Sequence, residues 1–190
     1  MQNLAAKEDR SALIHPRIPE GDETKVAAIL GAIEAHLGFV PDGLRLYSFS
    51  PPLLESFISN INYFNMGGTH LSPALTAMIR YQVSWDSGCS FCVDMNEGFL
   101  TNMGMKLDSI RASRGVPEAA PLDNKDKALL MLATKSVTTP EAIGQADLAE
   151  VRRYGWDDRA IFDAVVQAAN NRAFNYVLRT FNIEHQGALA

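Results

Sequence analysis

Cys89 and Cys92 are the residues of this chain whose type and spacing most directly suggest chemistry. The motif Cys-Ser-Phe-Cys places the two thiols three residues apart, and on a helix this separation brings both side chains to one face. Thiols this close can interconvert between a dithiol and a disulfide. A helix amino terminus would also favour the thiolate, which is the reactive form. The spacing therefore predicts a redox-active pair in which Cys89, nearer the helix start, is the more acidic thiol.

Two other interpretations of the pair stay open on the sequence. Free cysteine is among the most buried residue types, so both residues could be small core residues at a helix contact. A zinc site is the second, although structural zinc takes four ligands and the histidines are scattered without finger-like spacing. Those histidines are His15, His36, His70 and His185. We expect neither a metal nor a cofactor, since Rossmann, P-loop and serine-hydrolase signatures are missing from the sequence.

The composition is that of a folded globular domain. With 190 residues, 47% of them hydrophobic and 21% charged, the chain can bury one substantial core. The net charge of -5 offers no electrostatic reason for a nucleic-acid partner. The start MQNLAAKEDRSALIHP lacks a basic region followed by an apolar core, and no apolar run reaches membrane-spanning length. We therefore expect a cytoplasmic protein, where two cysteines are more often free, catalytic or metal-bound than a structural crosslink.

Apolar residues recur at helical spacing along most of the chain, and no segment alternates as a strand does, so the fold class predicted is all-α. Proline, glycine and capping residues mark where the helices begin and end. The predicted helices are one through Val26 that stops at Gly38, and others over 51–66, from Pro73 to near Ser87, from Cys89 to about Gly104, from Leu107 to Gly115, over 123–138, over 145–154, and from Asp157 to Phe181.

The stretch Leu71-Ser72-Pro73, followed by a helix and then by Ser87-Gly88-Cys89-Ser90-Phe91-Cys92-Val93, resembles the core of the alkylhydroperoxidase D (AhpD) and carboxymuconolactone decarboxylase superfamily. Segments 122–133, 152–156 and 169–182 are similar to its peroxidase-related branch. The resemblance implies an AhpD-like helical bundle that assembles as a trimer or hexamer. It also implies a single domain over 1–190, with an N-terminal helical extension over 1–70, a CxxC core over 71–115 and a C-terminal helical part over 122–185.

In the redox members of that family, a hydroperoxide oxidises the pair and a dithiol protein reduces it again. The resemblance implies that Cys92 attacks the peroxide and Cys89 resolves it, the reverse of the order that the helix dipole suggests. A glutamate and a histidine relay protons to the second cysteine in the family, but the corresponding positions here are Ala77 and Asn96. Asn96 lies one turn beyond Cys92 and can donate a hydrogen bond to a thiolate or a peroxide oxygen, so it is the third expected site residue.

Other side chains could replace the missing relay. Asp86 lies at the end of the preceding helix, whereas Asp94 and Glu97 lie off the Cys92 face and are expected on a solvated surface. Tyr81 could supply a hydroxyl, although an aromatic residue at this helical position is expected in the core. His70 is expected in a surface loop.

The function predicted first is a thiol-dependent peroxidase or disulfide oxidoreductase in antioxidant defence, acting on a hydroperoxide and reset by a dithiol reductant protein. One alternative is a catalytically weakened redox sensor, which the loss of the relay favours. Another is a lactone decarboxylase-like enzyme of the same fold, although such proton chemistry needs no paired thiols.

Overall fold

The computed structural model describes residues 12–183, and every regular element in that range is helical, which confirms the all-α prediction. Short 3₁₀ turns lie at Tyr47–Phe49, Pro117–Ala119 and Pro140–Ala142. The nine α-helices of this range are α1 (Glu23–Leu37), α2 (Asp42–Leu46), α3 (Pro51–Asn65), α4 (Pro73–Asp86), α5 (Ser90–Asn102), α6 (Leu107–Ala112), α7 (Asn124–Thr138), α8 (Gln145–Arg153) and α9 (Asp158–Thr180). Between residues 12 and 183, no helix has the length and apolarity that crossing a membrane requires.

The helix boundaries follow the local signals of the sequence. The Ser72 hydroxyl accepts the Leu75 N–H at 3.1 Å and caps α4, with Pro73 at its first position. Asp157 caps α9 in the same way, accepting the Ala160 N–H at 2.8 Å. The five-residue α2 was not predicted, because one turn is too short to display a helical period.

Helix α4 lies at the centre of the fold, where it packs against α5, α7 and α9. Nine of its fourteen residues are buried, so it presents core positions on most of its circumference. The main apolar core forms around it and includes Leu75, Met78, Ile79, Leu129 and Ala164. Because α4 leads directly into the turn that carries the cysteines, its burial fixes where the pair sits.

Asp163 ties α9 to the segment that precedes α4. Its carboxylate is only 3% exposed and accepts the Thr69 hydroxyl at 2.7 Å and the Tyr63 hydroxyl at 3.0 Å. The Thr69 hydroxyl in turn accepts the Leu71 N–H at 3.2 Å. A buried carboxylate is tolerated only when such donors replace its hydration, so this cluster holds the two segments in one arrangement.

Replacing Asp163 with alanine is expected to lower the free energy of unfolding by about 2–4 kcal/mol, because hydrogen bonds to a charged group contribute about 1.5–3 kcal/mol each. Urea denaturation followed by circular dichroism measures the change. The matched control is Glu55→Ala, which removes an exposed ion pair with Lys25 and should produce a much smaller loss. Equal losses in the two variants would show that the Asp163 cluster has no special structural role.

Candidate redox site

The cysteines lie on a tight connection between α4 and α5. The chain turns through Ser87 and Gly88, and Cys89 occupies the N-cap position of α5. Gly88 has φ of 65°, a left-handed conformation that a residue with a side chain rarely adopts. The Cys89 N–H donates to the carbonyl oxygen of Ser84 at 3.0 Å, so the end of α4 directly orients the first cysteine.

Cys89 and Cys92 form a disulfide, with their Cα atoms 5.3 Å apart. That separation lies within the ordinary range for a disulfide. The predicted position of the pair at a helix start and the predicted approach of the two side chains are therefore both confirmed. Among residues 12–183, no group of three or more histidine, cysteine or acidic side chains is arranged to hold a metal ion.

The disulfide is buried in a small apolar cluster of its own, with Cys89 2% and Cys92 4% exposed. Its buried members are Leu46, Phe91, Leu178 and Ile183, with Ala12, Ile14, Met95, Phe174, Val177 and Phe181 at its edge. Segments from both ends of the described range thus cover the pair. The Leu13 N–H donates to the Phe181 carbonyl oxygen at 2.9 Å and joins these two covering segments.

Asn96 connects the Cys92 backbone to a positively charged side chain. Its amide nitrogen donates to the Cys92 carbonyl oxygen at 2.8 Å, and its amide oxygen accepts Nε of Arg80 at 3.0 Å. Arg80 also donates through Nη1 to the amide oxygen of Asn65, at 3.4 Å, and its guanidinium lies 5.8 Å from the centre of the Phe99 ring.

Burial lowers the pKa of Arg80 to about 10, which still leaves the group positively charged at neutral pH. The side-chain groups that accept its hydrogen bonds are neutral amides, so they orient the guanidinium without neutralising its charge. The sequence analysis did not identify this arginine. The sequence offered little indication of its role. A lone arginine on an apolar helix is usually a surface residue whose aliphatic side-chain carbons lie along the core.

Neither position of the family's proton relay carries a group that transfers protons. Ala77 is fully buried in the main apolar core, and Asn96 is engaged with Cys92 and Arg80 as described. Asp86, considered as a substitute, forms an ion pair with Arg172 of α9. His70 is in an exposed loop as expected, with Nδ1 3.4 Å from a carboxylate oxygen of Asp157.

The prediction that Glu97 lies on a solvated surface is wrong. Its side chain is only 5% exposed, and its carboxylate accepts the Tyr81 hydroxyl at 2.8 Å, Nη2 of Arg114 at 2.5 Å and Nη2 of Arg111 at 3.1 Å. The face of α5 that points away from Cys92 meets α4 and the residues that follow α6, and so does not meet solvent. The helical wheel placed Glu97 off the cysteine face correctly but could not show that another element covers that face. Asp94, for which a solvated position was also expected, is half-buried.

The Glu97 carboxyl stays ionised in these surroundings. Burial raises its pKa, but hydrogen bonds from Arg114, Tyr81 and Arg111 outweigh burial and leave that pKa below its ordinary value. Tyr81 is fully buried, as predicted, and burial raises its pKa to about 12, so its hydroxyl remains a donor. In the sequence, Arg111 and Arg114 are one helical turn apart just before Gly115, which is the signal that could have indicated a carboxylate partner.

Several solved structures share this architecture. A peroxidase-related protein from Silicibacter sp. TM1040 matches with a TM-score of 0.84 over 98% of this chain and 100% of that chain, at 21% identity. An AhpD-core, peroxidase-related protein from Ralstonia eutropha JMP134 matches with a TM-score of 0.75 over 85% of each chain, at 19% identity. A cysteine-to-alanine variant of the debrominase Bmp8, in complex with 2,3,4-tribromopyrrole, matches with a TM-score of 0.73 over 93% and 92% of the chains, at 17% identity.

No family model and no curated protein sequence matches the chain. The similarity to the solved structures is therefore one of fold, and it extends over nearly the whole of the chain in the best-covered case. It agrees with the resemblance seen around Leu71–Pro73 and Ser87–Val93. This protein has the all-α AhpD-like fold, with a CxxC pair at the start of its fifth helix.

Proposed function

We propose that this chain is a thiol-dependent peroxidase whose Cys89 and Cys92 cycle between dithiol and disulfide. The observation that carries the proposal is the disulfide itself, formed between two residues of one helix start and enclosed by apolar side chains. A structural crosslink between residues three apart would restrain little of the chain, because the loop it closes is short. A pair in this position is better suited to reversible oxidation.

In the proposed cycle the Cys92 thiolate attacks one oxygen of a hydroperoxide, and the O–O bond breaks. The leaving oxygen takes up a proton and departs as an alcohol, while Cys92 becomes a sulfenic acid. The Cys89 thiol then attacks the sulfur of Cys92, so that the disulfide forms and water leaves. A dithiol protein of the cytoplasm restores the two thiols and becomes oxidised itself.

Arg80 and Asn96 take over part of what the missing relay would supply. The positive charge of Arg80, held next to the start of α5 through Asn96, favours the thiolate form of Cys92. Asn96 has a second amide hydrogen beyond the one given to the Cys92 carbonyl, and that hydrogen can be donated to a thiolate or a peroxide oxygen. Neither residue transfers a proton at neutral pH. A well-placed general base contributes about 10²–10⁴-fold, so turnover should be slow by comparison with a site that has one.

The covering segments set the access to the pair. A small hydroperoxide needs only a narrow path to Cys92, whereas a reductant protein must bring its own thiol against the disulfide. Residues around Ile14 and Phe181 must therefore move aside in the reductive half of the cycle, since they lie at the edge of the cluster that encloses the sulfurs.

A second candidate is reductive dehalogenation of an aromatic ring, favoured by an aromatic stack beside the pair. The rings of Tyr47 and Phe57 have centroids 4.8 Å apart, and those of Phe57 and Phe174 are 4.7 Å apart. Phe174 also borders the cysteine cluster. In this reaction the carbon–halogen bond breaks, halide leaves, hydrogen takes its place on the ring, and the two thiols supply the electrons by becoming a disulfide. Release of bromide from 2,3,4-tribromopyrrole by the reduced protein tests it.

Cysteine substitutions test the proposed cycle. In the reduced native protein, one equivalent of an organic hydroperoxide should consume both thiols. Cys89→Ser should consume the single Cys92 thiol and leave a sulfenic acid that dimedone traps, whereas Cys92→Ser should be at least tenfold slower to react. Thiol titration and mass spectrometry provide the readouts. Faster loss of the Cys89 thiol in Cys92→Ser would assign the attack to Cys89, as the helix-dipole argument suggests, and no thiol loss in any form would exclude the peroxidase cycle. A stoichiometric reaction without turnover in the presence of a dithiol reductant would identify a redox sensor.

Arg80→Gln tests the role of this half-buried cation. The substitution should raise the pKa of the Cys92 thiol, because it removes a positive charge that favours the thiolate. The rate of thiol loss to peroxide at neutral pH should fall several-fold, because less of the thiol is then ionised. Arg80→Lys should restore most of the effect, and Arg153→Gln, which removes an exposed arginine of α8, should change neither quantity. The pH dependence of iodoacetamide alkylation in Cys89→Ser measures that thiol pKa, and an unchanged value in Arg80→Gln contradicts the proposed role.

A further inference from the structure

A cleft of about 670 Å³ opens between α7, α8, the end of α4 and the segment that follows α6. Pockets for small organic molecules have volumes of about 300–1,000 Å³, so this cleft has an ordinary size for such a ligand. None of its lining residues belongs to the apolar cluster that encloses the disulfide. The cleft is therefore a candidate binding site in its own right, and no step of the proposed redox cycle takes place in it.

Apolar side chains from α7 and α8 form part of the lining. Leu132 and Val151 are buried, whereas Met131 is 41% and Tyr154 42% exposed. Single apolar residues on an open surface need no explanation, but these two lie together in a concave one. A ligand with an apolar body would remove Met131 and Tyr154 from water, which is favourable.

Lys127 places a positive charge in the lining that no described residue neutralises. Lys127 is half-buried on α7, and its ammonium group has no ion-pair partner in the part of the chain that the structure describes. The other half-buried charges of the cleft are paired. Lys135 contacts Asp147 at 2.6 Å. Glu150 contacts Arg153. The charge of Lys127 is thus left for a ligand.

The amino end of α7 strengthens the preference for an anion. Asn124, its first residue, also lines the cleft, and the unpaired N–H groups of a helix start carry partial positive charge. The acidic residues next to this helix start, Asp123 and Asp126, do not line the cleft. Asp126 instead accepts the Ser72 hydroxyl at 3.1 Å. Lys127 lies one turn from the helix start, so both positive contributions act on the same end of the cleft.

Two other carboxylates line the cleft, and both are exposed. Asp86 is paired with Arg172. Glu118 lies on the segment that follows α6, where water screens its charge. Neither residue provides a half-buried negative charge that would favour a cationic ligand.

We propose that the cleft binds a monocarboxylate with an apolar body. The carboxylate pairs with the Lys127 ammonium group near the start of α7, and the apolar part of the ligand lies along Met131 and Leu132 towards Tyr154. In surroundings that are partly shielded from water, such an ion pair is screened less than one on an open surface. The proposal does not depend on the proposed peroxidase activity, because the cleft and the cysteine cluster share no residue.

Protection of an introduced thiol tests where the ligand binds. In a Cys89→Ser/Cys92→Ser background, octanoate should slow the alkylation of Met131→Cys by iodoacetamide, because the bound alkyl chain covers the thiol. At an octanoate concentration of about ten times its dissociation constant, the rate should fall about tenfold, since only the free protein reacts. The matched control is Met103→Cys at the end of α5, where Met103 is 46% exposed, and its rate should not change.

Three results of this experiment would overturn the proposal. The first is an alkylation rate of Met131→Cys that octanoate does not change. The second is equal slowing in Met131→Cys and Met103→Cys. The third is a Met131→Cys thiol that fails to react even without octanoate, because the cleft would then be closed.

Lys127→Gln tests the positive charge. Isothermal titration calorimetry on the native disulfide form should detect octanoate binding, and the substitution should weaken the affinity about fivefold, which is the contribution of one partly shielded ion pair. Lys125→Gln is the matched control. Lys125 is an exposed lysine of the same turn that lies over the Trp156 ring and does not line the cleft, so its replacement should leave the affinity unchanged.

Octylamine distinguishes an anion site from one that is only apolar. It carries a chain of the same length with the opposite charge, and it should bind about tenfold more weakly than octanoate. Equal affinities for the two compounds would contradict the proposal, as would unchanged octanoate affinity in Lys127→Gln or no octanoate binding to the native protein. Tighter binding of octylamine that Glu118→Gln abolishes would show that the cleft takes a cation instead.

Discussion

The packing of α4 against α5, α7 and α9 at once is the constraint on which the remainder of the structure depends. A helix enclosed on so many sides cannot shift along its axis without disturbing every neighbour, since protein interiors are close-packed. Its last turn is therefore a fixed point, and the carbonyl of Ser84 in that turn accepts the Cys89 N–H. This connection fixes the position of Cys89 relative to the core.

Two groups of polar side chains lie at the contact between α4 and α5, and they are formed by residues that are neighbours in the sequence. Arg80 and Asn96 lie towards the cysteine side, where the guanidinium donates to neutral amides. Tyr81 and Glu97, the next residue in each helix, lie in a network where Arg111 and Arg114 neutralise the carboxylate. Because the Glu97 carboxylate is already paired with these two arginines, the second network stabilises the helix contact without competing for Arg80.

Different parts of helix α9 make different contacts within the fold. Its inner face provides polar anchors, with the Asn171 side chain donating to the Arg80 carbonyl and to the Ser84 hydroxyl, both at 3.1 Å. Leu178, near its end, packs in the cluster that encloses the disulfide. Movement of α9 would therefore affect the central helix and the cover of the redox site together.

The sequence alone was sufficient to predict every α-helix of the described residues except α2, and the approach of the two cysteines, because these depend on local chemistry. Ser72 and Asp157 cap their helices through bonds that span three residues, and the CxxC spacing brings the thiols together within one turn. The resemblance around Ser87–Val93 was also enough to indicate the AhpD-like fold. Such features need no knowledge of what lies across the molecule.

Tertiary structure alone decided which charged groups are buried and which face the site. Arg80 and Asn96 are sixteen residues apart, as are Tyr81 and Glu97, and each pair meets only because α4 and α5 pack side by side. The periodicity of α5 showed that Glu97 points away from Cys92. Whether the Glu97 side of α5 is exposed to solvent depended on helices elsewhere in the chain. The cover of the disulfide is likewise non-local, since the segments around Ala12 and Phe181 come from the two ends of the described chain. Spacing within a helix determines the direction in which a side chain points. Only the packing between helices determines whether that side chain meets solvent or another element.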